Sequence, residues 1–186
     1  MNRIAVSSFV TLIALGGCAT VPPGRAPDAG PAPSAPSAPS LGWFSKIKAP
    51  SGYEPTMKLV GKGVQVFRCE KRDAGFAWMP RLPEAELRDD RQAVVGRHGA
   101  NFSFEHTDGS RLLGTVAAYE DAPDARNLRW LLLSTKSFGK GAFGDVAYVQ
   151  RVNTAGGMPP ARCEAGQLNQ LLRVDFSADF VFYRSR

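Results

Sequence analysis

Apolar and polar side chains alternate with a period of two through much of the chain after residue 60, the pattern of half-buried β-strands. Residues 63–69 form a run rich in β-branched and aromatic side chains that starts at Gly63. Residues 101–106 alternate with Phe102 and Phe104 on one face. Asp108-Gly109 then marks a hairpin turn, from which residues 111–119 return as the partner strand. Residues 128–134 are mostly apolar and fit a strand buried on both faces. Residues 145–152 set Val146, Tyr148 and Gln150 opposite Ala147, Val149 and Arg151, and residues 174–183 place Val174, Phe176, Ala178, Phe180 and Phe182 on one side. No segment sustains a 3.6-residue period, although residues 84–92 and 164–172 have room for a helical turn or two. Strands punctuated by Gly, Pro and Asp predict an all-β fold, a single-domain β-sandwich or flattened β-barrel with short helical turns.

The N-terminus follows different rules. Arg3 precedes a stretch of mostly apolar residues at 4–15, the length of a signal-peptide core and too short to span a bilayer. Leu15-Gly16-Gly17-Cys18 then resembles the lipobox of bacterial lipoproteins, in which small residues admit the peptidase and the cysteine thiol takes a diacylglycerol. The alternative is an ordinary secretory signal with a chance cysteine. On the lipoprotein reading, residues 1–17 are a signal peptide, Cys18 is acylated, and Ala19 in place of Asp directs the protein to the outer membrane, facing the periplasm or the cell surface. Residues 19–40 hold seven of the 14 prolines, interleaved with Ala and Ser. Such a segment favours extended polyproline geometry and reaches roughly 60–70 Å at about 3.1 Å per residue. Residues 18–49 therefore read as a lipidated tether and residues 50–186 as the β domain. Within the tether, residues 41–48 are amphipathic. They offer Trp43 and Phe44 either to lipid or to packing on the domain.

Composition narrows the function classes. The chain has 186 residues, 44% of them hydrophobic and 22% charged, which suffices for one core. The formal charge of +6 falls to +5 when residues 1–17 are removed, leaving 22 basic against 17 acidic side chains. The basic residues are dispersed and no nucleic-acid motif is present, so nucleic acid is not an expected partner. With Cys18 assigned to lipid, Cys69 and Cys163 remain 94 residues apart, and in an exported chain such a pair is most simply a disulfide. Two buried thiols are the alternative. A metal site is disfavoured, because there is no Cys-x-x-Cys and neither histidine lies near either cysteine in sequence.

Several segments together resemble a domain-of-unknown-function family of secreted bacterial and fungal proteins, whose fungal members are sometimes labelled malate dehydrogenase-like. They are residues 63–69, Trp78, residues 83–87, 95–98 and 108–110, Trp130-Leu131-Leu132, residues 148–157, Pro160, Cys163 and residues 178–183. Gln150-Arg151 followed by Thr154, Gly156-Gly157 and Cys163 is the most specific part. After His98 the family commonly has a Gly-Pro-x-Trp-like stretch, whereas this chain reads Gly99-Ala100-Asn101-Phe102. The resemblance implies a β fold and a paired Cys69 and Cys163, and it supplies no activity. The dehydrogenase label has one literal support, the G-x-G-x-x-G match at residues 139–144. That motif holds a pyrophosphate only when it leaves a strand and opens a helix. Here a Val/Tyr-rich strand pattern follows at once, so a glycine-rich turn is expected and no cofactor.

Candidate site residues are few. No hydrolase, zincin, phosphate-loop or calcium-loop motif is present. His98, flanked by Gly96 and Gly99, is either a general base or ligand contact, or a histidine bonded to a neighbouring loop. His106, beside the Asp108-Gly109 turn, is expected to be exposed. A metal site built from His98, His106 and Asp108 is not expected. Trp78 and Trp130 read as core anchors. Gln150, Arg151, Asn153 and Thr154 place four polar side chains at a strand end. They suit either a ligand groove including His98 and Trp130, or satisfaction of the backbone of the 153–163 loop. These readings favour a membrane-anchored envelope lipoprotein whose β domain binds a ligand or partner without catalysis. The alternatives are an envelope enzyme using His98 with Asp108 or Arg151, and a structural or stress-response component.

Overall fold

The computed structural model describes residues 36–186, so residues 1–17, read as a signal peptide, and Cys18 lie outside the described residues. Eight antiparallel strands follow one another around a single sheet that closes on itself. They are β1 (Tyr53–Arg72), β2 (Gly75–Arg88), β3 (Val94–Gly99), β4 (Ser103–His106), β5 (Arg111–Glu120), β6 (Trp130–Phe138), β7 (Val146–Gly156) and β8 (Leu171–Ser185). The first strand pairs with the last as well as with the second. The ring is irregular because its strands are unequal: β1 has 20 residues and β4 only four. The all-β expectation, a β-sandwich or flattened barrel, is met by this closed ring.

Alternation decides which side chains enter the ring. Leu59 of β1, Ala85 and Leu87 of β2, Phe104 of β4, Leu112 of β5, Leu131 and Leu133 of β6, Val149 of β7 and Phe176, Ala178, Phe180 and Phe182 of β8 form one buried cluster. An eight-stranded ring is just wide enough for side chains to fill, and here phenylalanines fill it. Two glycines of β1 face the same interior. A methyl group on Gly61 would fall 2.4 Å from the Phe180 ring, and one on Gly63 would fall 2.0 Å from the Glu84 carbonyl oxygen. Glycine at these points lets the sheet coil tightly around aromatic filling.

The apolar run of β6 is buried on both faces, as its pattern requires. Leu131 and Leu133 point inward, whereas Leu132 lies beneath Ile47, which is itself fully buried with Val152 in a second cluster. Leu41, Ala118, Trp130 and Tyr148 pack against that cluster. The residues just ahead of β1 thus form a strap over the outer face of β5, β6 and β7.

Two local expectations need correction. Residues 84–88 continue β2 rather than turning into a helix, because Glu84, Glu86 and Arg88 alternate with the buried Ala85 and Leu87. The chain then reverses over Asp89–Ala93, where the Asp89 carboxylate accepts from the Arg91 and Ala93 N–H groups. Residues 101 and 102 are not strand. Both have positive φ, 54° and 51°, in a short 3-10 turn between β3 and β4. The remaining helical expectation holds as one 3-10 turn at Ala165–Gln167, and no α-helix occurs among the described residues.

Cys69 and Cys163 form a disulfide, with Cα atoms 6.0 Å apart. It ties the β7–β8 connection to the end of β1 that runs on beyond β3 and β4. The same junction carries backbone bonds from Cys69 N–H to the Gln170 carbonyl and from Asn169 N–H to the Cys69 carbonyl.

Candidate functional site

A cleft of about 700 Å³ lies over β1–β4, lined among others by Lys62, Glu84, Glu86, Arg97, Glu105 and Arg173, with His98 in its floor. Strand register builds its charge pattern. Lys62 stands opposite Glu86, Glu86 opposite Arg97, Arg97 opposite Glu105, and Glu105 opposite Arg111. Five charges of alternating sign therefore stand side by side across five strands, all of them exposed. Opposite charges in such a row favour this register over a slip. Among the described residues no contact ion pair joins members of the row, and Glu86 pairs instead with Arg88. Above the row, Arg173 of β8 grips Glu84 with two guanidinium nitrogens. That hydrogen bond, aided by the attraction of the cation, holds the Glu84 carboxyl below its ordinary range against desolvation.

His98 is the buried polar centre beneath this cleft, with 1% of its surface exposed. Its ring stacks on Phe104 at 4.3 Å between centroids and meets Phe180 edge-on at 5.0 Å. Nδ1 lies 2.9 Å from the Ser103 carbonyl oxygen, which only accepts, so Nδ1 carries the proton. Nε2 is left with a lone pair, buried and without a partner. Burial pushes the pKa down to about 4. The Ser103 bond opposes that shift and the nearby Arg151 cation adds to it. His98 is therefore a neutral imidazole at neutral pH, bonded to a neighbouring turn, as one of the two sequence readings has it.

The other candidates do not converge on this point. Gln150 points outward under the strap, where its amide donates to the Ile47 carbonyl and accepts from the Tyr183 hydroxyl. Arg151 points into the ring and is 7% exposed, with Nε and Nη2 donating to the Arg129 carbonyl at 3.2 and 3.0 Å. Burial lowers its pKa to about 10, which leaves it charged. Asn153 sits at positive φ in an irregularity of β7 and donates to the Asp179 carboxylate. Thr154 donates its hydroxyl proton to the Leu128 carbonyl at 2.6 Å. Trp130 packs on the strap cluster with Nε1 buried and unpartnered, and Trp78 is half-buried on β2. A groove on one face of β7 is thus replaced by separate anchors. Gln150, Thr154 and Arg151 bond the carbonyls of residues 47, 128 and 129, and Asn153 bonds the Asp179 side chain, rather than the backbone of the 153–163 loop.

His106 is partly buried rather than exposed, with its side chain 17% accessible and Nδ1 3.0 Å from an Asp108 carboxylate oxygen. Asp108 is held well below the usual carboxylate range, chiefly by the Ala142 N–H and then by the Ser110 hydroxyl and N–H. The Ala142 bond, together with the Phe143 N–H donating to the Ser110 hydroxyl oxygen, docks the glycine-rich loop at residues 139–144 onto the β4–β5 turn. Phe143 there is fully buried and stacked on Phe182 at 4.9 Å. Gly141 has φ 128°, and a methyl group on it would lie 2.5 Å from Asp108 Oδ2. The glycines let the loop fold in and plug the ring. Strand β7 follows and no helix begins there, so a dinucleotide site is not built. His98 bonds neither Asp108 nor Arg151, and no cluster of three metal-ligating side chains occurs among the described residues.

A family model described as a protein of unknown function (DUF3455) matches residues 50–184. The chain belongs to this family. Its match begins just before β1 and ends within β8, so it covers the whole ring and the disulfide, in agreement with the resemblance carried by residues 63–183. No curated protein and no solved structure matches the chain. The family's description assigns no activity. The cleft residues Lys62, Glu84, Glu86, Glu105 and Arg173 escape sequence reasoning, because each is an ordinary surface charge until strand register aligns it.

Proposed function

We propose that this chain is a lipid-tethered envelope protein whose β domain binds a polar, charge-bearing ligand in the cleft over β1–β4, without turning it over. The observation that carries the reading is the row Lys62, Glu86, Arg97, Glu105, Arg111. It sets five neighbouring charges of alternating sign across five strands without contact pairs among themselves, and the first four of them line the cleft. Such a row complements an extended partner that carries amines and carboxylates in alternation, which is the chemistry of a short peptide or a peptide-bearing cell-wall fragment. Phenylalanines of β4 and β8 pack the ring interior. A catalytic reading needs a nucleophile beside a base, and His98 has neither an exposed nitrogen nor a hydroxyl or carboxylate partner. The lipobox-like Leu15-Gly16-Gly17-Cys18 and the Pro/Ala run supply the anchor and the spacer in this account.

The test is an amide-shift titration of the isotope-labelled domain with soluble peptide-bearing cell-wall fragments and, separately, with alternating Lys/Glu peptides. Shifts confined to Lys62, Glu86, Arg97 and Glu105, and lost in Arg97→Glu, are expected. Millimolar probes that leave those amides unmoved sink the proposal. The anchor is tested separately by fatty-acid labelling of the native chain against Cys18→Ser.

A further inference from the structure

A second surface stands apart from the cleft. Trp43 and Phe44 are the two most exposed large apolar side chains among the described residues, at 85% and 90%. They occupy the two corner positions of a β-turn closed by the Ser45 N–H to the Gly42 carbonyl at 3.1 Å. Corner positions ordinarily hold Pro, Gly, Asn, Asp or Ser, whose backbone preferences or local hydrogen bonds suit the turn. Two adjacent aromatics there expose apolar area that nothing in the domain covers.

The turn is held in place. Lys48 Nζ donates to the Trp43 carbonyl at 2.7 Å and stands over the indole at 5.7 Å from its centre. The Lys46 N–H bonds the Glu120 carboxylate, and Ile47 is fully buried with its carbonyl fixed by Gln150. An aromatic pair on a fixed base loses little conformational freedom on binding. The chain leading to it is the Pro/Ala run, and Trp43 lies 25 residues beyond Cys18.

We propose that the Trp43-Phe44 turn is a membrane-contact point that seats in the interfacial layer of a bilayer with anionic headgroups. Tryptophan favours that layer, where an apolar ring and a polar N–H are both accommodated. Lys46 and Lys48 flank the pair and supply the charge that anionic headgroups attract. A protein partner would be met by a larger mixed surface, whereas two side chains on a turn tip fit a fluid layer that closes around them. The proposal rests on the lipoprotein reading for its address: an acyl chain on Cys18 brings the turn back to the same bilayer, and two weak signals together make a firm one.

The experiment uses residues 19–186 without the acyl group and with the disulfide formed. It contains every described residue. Flotation with phosphatidylethanolamine/phosphatidylglycerol vesicles is compared with flotation on phosphatidylcholine. Binding to the anionic vesicles is expected, weakened at least tenfold in Trp43→Ser/Phe44→Ser and reduced in Lys46→Gln/Lys48→Gln. Brominated lipid is expected to quench tryptophan fluorescence in the parent chain. Trp43→Phe should float as before yet lose most of that quenching, since Trp78 and Trp130 remain on the domain. Flotation of the Trp43/Phe44 double variant equal to the parent overturns the proposal, as does a parent that ignores anionic vesicles. Acyl labelling in cells reads the tether independently. A labelled protein whose unacylated form ignores vesicles removes the contact and keeps the anchor, and an unlabelled protein that floats does the reverse.

Discussion

His98 gives the protein a pH dependence whose size follows from its position. The imidazole is neutral in the fold, with a pKa of about 4, and recovers its ordinary value of 6.5 when the chain unfolds. The unfolded chain therefore binds a proton that the folded chain refuses over the window between those values. Stability contributed by neutral His98 is complete above pH 6.5 and is lost as pH falls toward 4. Between pH 7 and pH 4.5 the loss is about 2 kcal/mol, or roughly 4–8 °C in Tm for a domain of this size. Urea denaturation at several pH values, read by tryptophan fluorescence, measures it directly. His98→Phe and His98→Gln are less stable at pH 7, yet both should lose this component of the slope. Arg151→Met removes the cation that adds to the lowering, and should move the His98 titration upward in an imidazole NMR experiment. A slope that survives both His98 substitutions refutes the argument, because it would place the titrating group elsewhere.

Other substitutions test the frame. Cys69→Ala/Cys163→Ala opens a loop of 94 residues. Chain entropy assigns that closure about 4.7 kcal/mol, so denaturant midpoints should fall steeply, and an unchanged midpoint would show the bond to be dispensable. Gly63→Ala drives a methyl group against the Glu84 carbonyl and should cost about 1–3 kcal/mol. Gly166→Ala, in open space at a loop, is the control expected to change little. Gln150→Ala strands the Ile47 carbonyl and the Tyr183 hydroxyl, a cost of about 1–3 kcal/mol. Release of the strap should then speed tryptic cleavage at Lys46 and Lys48, and cleavage at the parental rate counts against the clamp.

Strands with strong alternation were legible from the sequence, and those built on glycine or proline were not. The run of Phe176, Ala178, Phe180 and Phe182 announces its inward face, and the apolar stretch ahead of Ser134 announces two buried faces. Strand β2 is masked by Pro80 and Pro83, which break a pattern search but are harmless on a strand that pairs with β3 only over Ala85–Arg88. Strand β3 is six residues long and carries Gly96 and Gly99, so its only apolar signal is Val94 and Val95. The polar run from Gln150 to Thr154 looked like one surface because alternation alone says nothing of what covers the outside. The strap buries Gln150, and the irregularity at Asn153 turns Thr154 toward Leu128. The cleft was invisible for a related reason. Lys62 and Glu105 are 43 positions apart, and only pairing across β2 and β3 makes them neighbours in one row.

Joining of β1 to β8 has a bearing on how the molecule comes into being. The longest strand has two edges to satisfy, and one of them waits for residues Leu171–Ser185, which follow every other strand of the ring along the chain. Until that stretch arrives, a row of main-chain donors and acceptors on β1 stays unmet and Gly61 has no Phe180 ring beside it. Completion is therefore a whole-chain event with a large entropic toll on loop closure. A chain that lacks β8 holds no native ring at all, and loss of that strand would expose two raw edges, on β1 and β7, rather than trim one.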